Sequence, residues 1–155
     1  MVKVVFVCLG NICRSPMAEG IFRDLVKKEG LQEKISVDSA GTSDWHIGEE
    51  PHKGTLGIFE KYGISGEGLK ARQYVQEDLE NFDYIIAMDT SNIENMEAIQ
   101  GSKSEKLIRL LDLLEEENKD VPDPYFTGDF EETYRLVTAG CRELLNKIKR
   151  ENNLN

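Results

Sequence analysis

Residues 2–7, Val-Lys-Val-Val-Phe-Val, form an apolar run broken by one lysine, after which the chain turns through Cys8-Leu9-Gly10-Asn11-Ile12-Cys13-Arg14 into Ser15-Pro16. A run without polar alternation suits a strand buried on both faces, as in a parallel sheet covered by helices. Ser15-Pro16 then predicts a helix start, with Ser15 as the cap and Pro16 at the first helical position, where its missing N–H costs nothing. Strand, tight turn and helix in direct succession define the first half of a βαβ unit.

The rest of the chain repeats that alternation. Met17, Ile21 and Leu25 recur at four-residue intervals, Phe22 widens their stripe, and Gly30 ends the helix. Residues 35–40 read as a second strand closed by Gly41. Leu56, Phe59 and Tyr62 mark a helix stopped by Gly63. Residues 84–88 read as a third strand, about 91–99 as a helix, and 107–111 as the fourth strand. A polar loop, residues 115–128, carries Val121-Pro122-Asp123-Pro124-Tyr125. The last helix opens at Asp129, with Glu132 completing a capping box and Leu136, Leu144, Leu145 and Ile148 on its apolar side. The expectation is an α/β fold with a four-stranded parallel sheet flanked by helices, in one domain spanning residues 1–155. Ligands of such sheets bind outside the carboxyl ends of the strands, where Cys8 and Asp89 fall.

Charge narrows the ligand. Nineteen Lys and Arg against twenty-nine Asp and Glu give a net charge of −10, which repels nucleic acid and anionic membranes. A phosphate site on this protein must therefore be small and built largely from backbone. No run of eighteen apolar residues is present to cross a membrane, and the N-terminus does not read as a signal peptide. Three cysteines, Cys8, Cys13 and Cys141, are too few and odd in number for a disulfide scaffold, which points to the cytoplasm.

The loop at residues 8–15 satisfies the backbone condition. Gly10 and Asn11 are the residue types that most readily take left-handed angles, so the amides of Leu9, Gly10, Asn11, Ile12, Cys13, Arg14 and Ser15 can converge on one oxyanion. The following helix adds orphan N–H groups and the positive end of its dipole. A cysteine at the start of such a nest is stabilised as the thiolate, the nucleophilic form. Arg14 can fold back over the loop and bind two phosphate oxygens with its planar fork. Ser15 can donate to the sulfur. The reaction implied is attack of Cys8 on phosphorus to give a cysteinyl phosphate. The competing use of Cys8 is as a small buried hydrophobe, but the strand before it, Gly-Asn within and Ser-Pro after favour function. Departure of an alkoxide or phenolate needs a proton, and Asp123, stiffened by a proline on each side, is the candidate acid. An Asp-Pro pair is equally a turn former, and spacing does not choose between the two uses.

At these residues the sequence resembles the low-molecular-weight protein tyrosine phosphatases. The likeness runs through residues 7–16, Asp38-Ser39-Ala40-Gly41-Thr42, Ala71-Arg72-Gln73, Phe82-Asp83-Tyr84, Ala87-Met88-Asp89 and Asp123-Pro124-Tyr125. It implies a flavodoxin-like sheet, no metal or organic cofactor, Cys8 as nucleophile, Arg14 as clamp, and Asp123 as general acid and later base. Asn11, Ser15 and Ser39 would hold the loop. Trp45, Tyr125 and Phe126 would wall a deep cleft for phosphotyrosine proteins or peptides, with inorganic phosphate as product and a monomer as the default state. Core packing is the alternative use of Trp45. His46 and His52 read as surface or local packing residues. Cys13 would form a reversible disulfide with Cys8 that protects it from over-oxidation, and Cys141 reads as packing. The family often has His where this chain has Leu69, so support of the loop asparagine must be rearranged or lost. Three rival readings make different demands on the residues. Phosphoarginine specificity is associated with Thr at the position of Ile12, so Ile12 favours phosphotyrosine. An arsenate reductase would need two more cysteines near residues 80–95, and none occurs. A non-catalytic phosphate-binding module would not require Cys8, Arg14 and Asp123 together.

Overall fold

The computed structural model describes residues 1–154. Strands β1 (Val2–Cys8), β2 (Ile35–Gly41), β3 (Tyr84–Ala87) and β4 (Leu107–Arg109) form one sheet in the order β2-β1-β3-β4. All its pairings are parallel, with Val2 to Cys8 in register with Ile35 to Gly41 and Val4 to Val7 in register with Tyr84 to Ala87. The central position of β1 explains its sequence. Val4, Phe6 and Cys8 enter the core beneath α1 (Arg14–Lys28) and α6 (Phe130–Asn152), while Val5 and Val7 meet Ile85, Ala87 and Met96 on the other face. On the α6 side Leu136, Leu144, Leu145 and Ile148 are all buried, each contributing about 1.5–3 kcal/mol of transfer free energy. Among the described residues, no helix is long and apolar enough to cross a membrane.

Several boundaries differ from the sequence expectation. Helix α1 starts one residue before Ser15, with Cys13 at the cap position and no side-chain cap bond. Ser15 does not cap because its hydroxyl bonds to Cys8 and Asn11, and Pro16 sits third in the helix, still within the turn that lacks acceptors. The fourth strand stops at Arg109, and residues 110–113 form a 3-10 turn. Asp112 draws the chain out of the sheet by accepting from the Arg109 amide at 3.0 Å, and Leu110 and Leu111 drop into the α6 core. Met88 leaves β3 yet still donates to the Val7 carbonyl at 3.0 Å. At Asp129 only half of the capping box forms: its carboxylate accepts from the Glu132 amide, whereas the Glu132 side chain pairs with Arg135. A complete box lies at Asp89 and Asn92, opening α4 (Thr90–Gln100). Between β2 and α4 the chain also forms α2 (Lys53–Tyr62), ended by left-handed Gly63, and the short α3 (Asp78–Asn81), which no sequence pattern announced. The loop expected over residues 115–128 contains one helical turn, α5 (Pro124–Thr127).

Candidate active site

The carboxyl end of β1 opens onto a cleft, and Cys8, the last residue of β1, lines it. Its Sγ lies 3.0 Å from Ser15 Oγ and accepts from the Asn11 amide at 3.3 Å. Asn11 has φ of +56°, the left-handed conformation that lets the chain wrap around the sulfur. Its side chain is fully committed. Oδ1 accepts from the Arg72 amide at 3.0 Å, and Nδ2 donates to Ser15 Oγ at 2.7 Å and Ser39 Oγ at 2.9 Å. Gly10, in contrast to the expectation, has no left-handed φ. Its smallness matters instead, because a Cβ there would meet His46 Cδ2 at 3.1 Å. Gly41 is the tighter crossing: a Cβ would lie 2.8 Å from the Leu9 carbonyl oxygen and 3.1 Å from Asn11 Cβ.

The loop is tied outward. Leu9 O accepts from the Ser43 amide, Ile12 O from the His52 amide, and Cys13 O from the Thr55 hydroxyl. Its own amides at Gly10, Ile12, Cys13 and Arg14 have no acceptor within the described protein. They stand at the head of the fifteen-residue α1, so unused donors and the positive end of a helix dipole share one place.

Arg14 is buried beneath this nest. Its Nη1 donates to Asp89 at 2.6 Å and to the Val121 carbonyl at 3.0 Å, and its Nη2 reaches Asp123 at 3.3 Å. Its Nε is buried and has no hydrogen-bond partner in the protein. Burial works against its charge, but the Cys8 sulfur and the Asp123 and Asp89 carboxylates outweigh that and hold its pKa above the ordinary value. Asp123 caps α5 by accepting from the Tyr125 amide at 3.1 Å and faces Cys8 across the cleft.

The cleft is lined by Cys8, Leu9, Gly10, Ile12, Cys13, Trp45, His46, Asp123, Tyr125 and Phe126. Trp45 is 67% exposed, Phe126 76% and Tyr125 54%, so Trp45 is a wall of the cleft rather than part of the core. His46 is more than surface packing: it lines the cleft and its Nδ1 lies 3.0 Å from Glu49. His52 caps α2 and stacks on Phe130. Cys13 is buried, and burial, reinforced by Cys8 and Asp123 and opposed by Arg14, pushes its thiol up to about 12. Cys141 is enclosed in the α1–α6 core, where burial raises its thiol far above the ordinary range.

Three contributors carry no role in the sequence reading, and two of them carry no local signal in it. Asp89 stood at a strand end but had no assigned role until the fold brought it to Arg14. The Arg72 amide supplies the hydrogen bond to Asn11 Oδ1, so Asn11 is fully bonded although Leu69, buried in the core, offers no polar group. Glu19 lies behind the loop and accepts from Ser39 Oγ at 2.6 Å. No local pattern marks the last two, whereas the strand-end rule had already flagged Asp89.

The fold thus brings together the Cys8 sulfur, loop amides without a protein acceptor, the buried Arg14 guanidinium and the Asp123 carboxylate. The sequence model of the family described as low molecular weight phosphotyrosine protein phosphatase matches residues 3–154. The low molecular weight protein-tyrosine-phosphatase YfkJ of Bacillus subtilis is 54% identical, with 99% of this chain and 100% of that protein covered. Its crystal structure superimposes with a TM-score of 0.95 over 97% of this chain and 96% of that one. The low molecular weight protein-tyrosine-phosphatase PtpA of Staphylococcus aureus is 45% identical over 99% of this chain and 98% of its own. A Drosophila arginine phosphatase structure is 36% identical with a TM-score of 0.86, covering 96% and 98%. The chain therefore belongs to the low molecular weight phosphotyrosine protein phosphatase family and is a hydrolase of that class.

Proposed function

We propose that this protein hydrolyses phosphotyrosine monoesters through a cysteinyl-phosphate intermediate. The observation that carries the reading is the Cys8 sulfur at the start of a loop whose amides at Gly10, Ile12, Cys13 and Arg14 have no protein acceptor, with the unpartnered Nε of Arg14 buried in the same loop. A phosphoryl group bound there lies against the sulfur, with its equatorial oxygens on the amides of residues 9–15 and on the guanidinium. The Cys8 thiolate attacks phosphorus, the S–P bond forms, the P–O bond to the tyrosyl ring breaks, and Asp123 gives its proton to the departing phenolate oxygen. Asp123, now a carboxylate, takes a proton from water as the water oxygen attacks phosphorus. The S–P bond breaks, inorganic phosphate leaves, and the thiolate is restored with Ser15 donating to it. Arg14 stays charged throughout, since Asp89 anchors the far side of its fork.

The walls supply selectivity. Trp45, Tyr125 and Phe126 expose aromatic surface around a deep anion site, which suits a flat phenyl ring carrying its phosphate to the bottom. Ile12 is 7% exposed on the cleft wall and offers no hydrogen bond to a guanidine N–H, which favours tyrosine over arginine as the phosphate carrier. The same reading assigns the protein to the cytoplasm as a monomer acting on phosphotyrosine proteins or peptides, with Cys13 as the redox guard of Cys8 and no metal or organic cofactor in the cycle.

The test is phosphate release from matched phosphotyrosine and phosphoarginine peptides, with Cys8→Ser as control. The expected result is preference for phosphotyrosine, and a loss of at least about 10⁴-fold in kcat in the variant. Full turnover by Cys8→Ser would sink the covalent step, and preference for phosphoarginine would overturn the account of the pocket.

A further inference from the structure

The mechanism above leaves two buried carboxylates unused: Asp78, which pairs with Arg72, and Glu19. Glu19 lies on α1 behind the loop, 5% exposed, and it is joined to the nucleophile by hydrogen bonds through three intervening side chains. Its Oε1 accepts from Ser39 Oγ at 2.6 Å, and its Oε2 is paired with Arg23. Ser39 Oγ accepts from Asn11 Nδ2 at 2.9 Å, the second Nδ2 hydrogen goes to Ser15 Oγ at 2.7 Å, and Ser15 Oγ stands 3.0 Å from Cys8 Sγ.

The direction of every proton along this path is set by its two ends. The Arg72 amide is only a donor, so the Asn11 atom facing it must be Oδ1, and Nδ2 must face the two serines. Each serine oxygen receives an N–H and must send its own proton elsewhere. Ser39 sends it to Glu19. Ser15 has two acceptors, the Ala40 carbonyl at 3.4 Å and the Cys8 sulfur at 3.0 Å, and the shorter contact is to sulfur. A carboxylate at Glu19 can only accept, which holds Ser39 as an acceptor for Asn11 and keeps that amide stretched between the serines. We infer that Glu19 is a positioning residue for the reaction: it fixes the Ser39–Asn11–Ser15 chain so that the Ser15 hydroxyl donates to the Cys8 sulfur.

The environment fits that task. Burial raises the Glu19 pKa, opposed by the Ser39 hydrogen bond and by Arg23, with Asp38 adding to the rise. A carboxylate held in this way acts at low local dielectric, where each hydrogen bond in a chain polarises the next. Replacing Glu19 with Gln lets an amide N–H face Ser39. That donor competes with Asn11 for the same serine lone pairs, and the loop loses its fixed end without losing much volume.

This inference rests on Cys8 acting as the nucleophile, and the experiment separates the two. Wild type and Cys8→Ser are first compared on p-nitrophenyl phosphate; absence of turnover by the wild type is a failure of the phosphatase reading. Glu19→Gln, Glu19→Ala, Ser39→Ala and the Glu19→Gln/Ser39→Ala double variant are then measured for kcat, KM and the rate of Cys8 alkylation by iodoacetamide at pH 7. The expected result for Glu19→Gln is a kcat lower by about tenfold, the worth of one charge-assisted hydrogen bond, with KM nearly unchanged and slower alkylation. The double variant is expected to lose little beyond Ser39→Ala, because both changes cut the same chain. Folded Glu19→Gln and Glu19→Ala proteins that both keep wild-type kcat and alkylation rate overturn the inference. So does a lowered melting temperature without either kinetic change, which would leave Glu19 a packing residue. Glu19→Ala gives the same reading if Gln is accommodated by its own carbonyl facing Ser39.

Discussion

The two segments that meet over the cleft are held in opposite ways. Residues 8–15 are almost entirely buried, their carbonyls are tied to residues 43, 52 and 55, and Asn11 is locked from three sides. Residues 125–129 are exposed throughout, and the turn carrying Asp123 is one helical turn long. The Asp123 carboxylate itself is held by the Tyr125 amide and by a 3.3 Å contact to Arg14. The difference matches the work that the proposed mechanism gives each. Amides that surround an oxyanion act by being fixed before the charge arrives, since reorganising them would consume the stabilisation. In the proposed mechanism Asp123 first gives and then takes a proton, and a carboxylate held by only two contacts suits that role.

The comparison can be broken most sharply at the acid. Asp123→Asn keeps the α5 cap, since an amide oxygen still accepts from Tyr125, but has no proton to give. The expected outcome is a kcat on phosphotyrosine peptides lower by about 10²–10⁴-fold, and a much smaller loss on p-nitrophenyl phosphate, whose phenolate leaves unaided. Equal losses on both substrates would show that Asp123 acts on binding rather than on the leaving group.

A second test uses the buried loop's other sulfur. With its thiol pushed up to about 12, Cys13 stays protonated at neutral pH, so iodoacetamide at pH 7 is expected to label Cys8 and spare Cys13 and Cys141. Peroxide converts Cys8 to a sulfenic acid with loss of water, and condensation with the Cys13 thiol then releases a second water and forms the disulfide. That oxidation also removes the Cys8 charge that helps hold the Cys13 proton. Wild-type protein should recover after dithiothreitol, while Cys13→Ser should stay inactive. Mass spectra of oxidised wild type lacking a Cys8–Cys13 disulfide would refute the guard role.

The smallest effect belongs to the exposed side. Phe126→Ala removes aromatic surface from the cleft mouth without touching the loop, so KM for phosphotyrosine peptides should rise by about three- to tenfold at constant kcat. A change in kcat instead would mean that the mouth and the Asp123 turn move as one piece.

Much of the molecule was legible from local chemistry. The unbroken run of β1, the stripes of α1 and α6, and left-handed Gly63 after α2 follow from side-chain sterics within a few residues. So does the nest, because strand, turn residues and helix start are contiguous. Local rules failed where a longer-range partner took over a side chain. Ser15 was expected to cap a helix and is spent on Cys8 and Asn11. Glu132 was expected to close a box and was captured by Arg135. Gly10 was expected to supply a left-handed angle and instead supplies room for His46.

What the sequence determined by itself was therefore the order of strands and helices along the chain, the Cys8–Arg14 loop and the residue types able to do the chemistry. Only the tertiary structure decided that Asp89, seventy-five residues from Arg14, anchors its fork, and that Trp45 stands in solvent at the cleft rather than in the core. It likewise decided that the Arg72 amide and Glu19 set the two ends of the path to the sulfur. The physical reason is one of range. Backbone propensity and hydrophobic period act between neighbours in sequence, whereas a buried polar group takes whichever partner the packing of distant elements brings within about 3 Å.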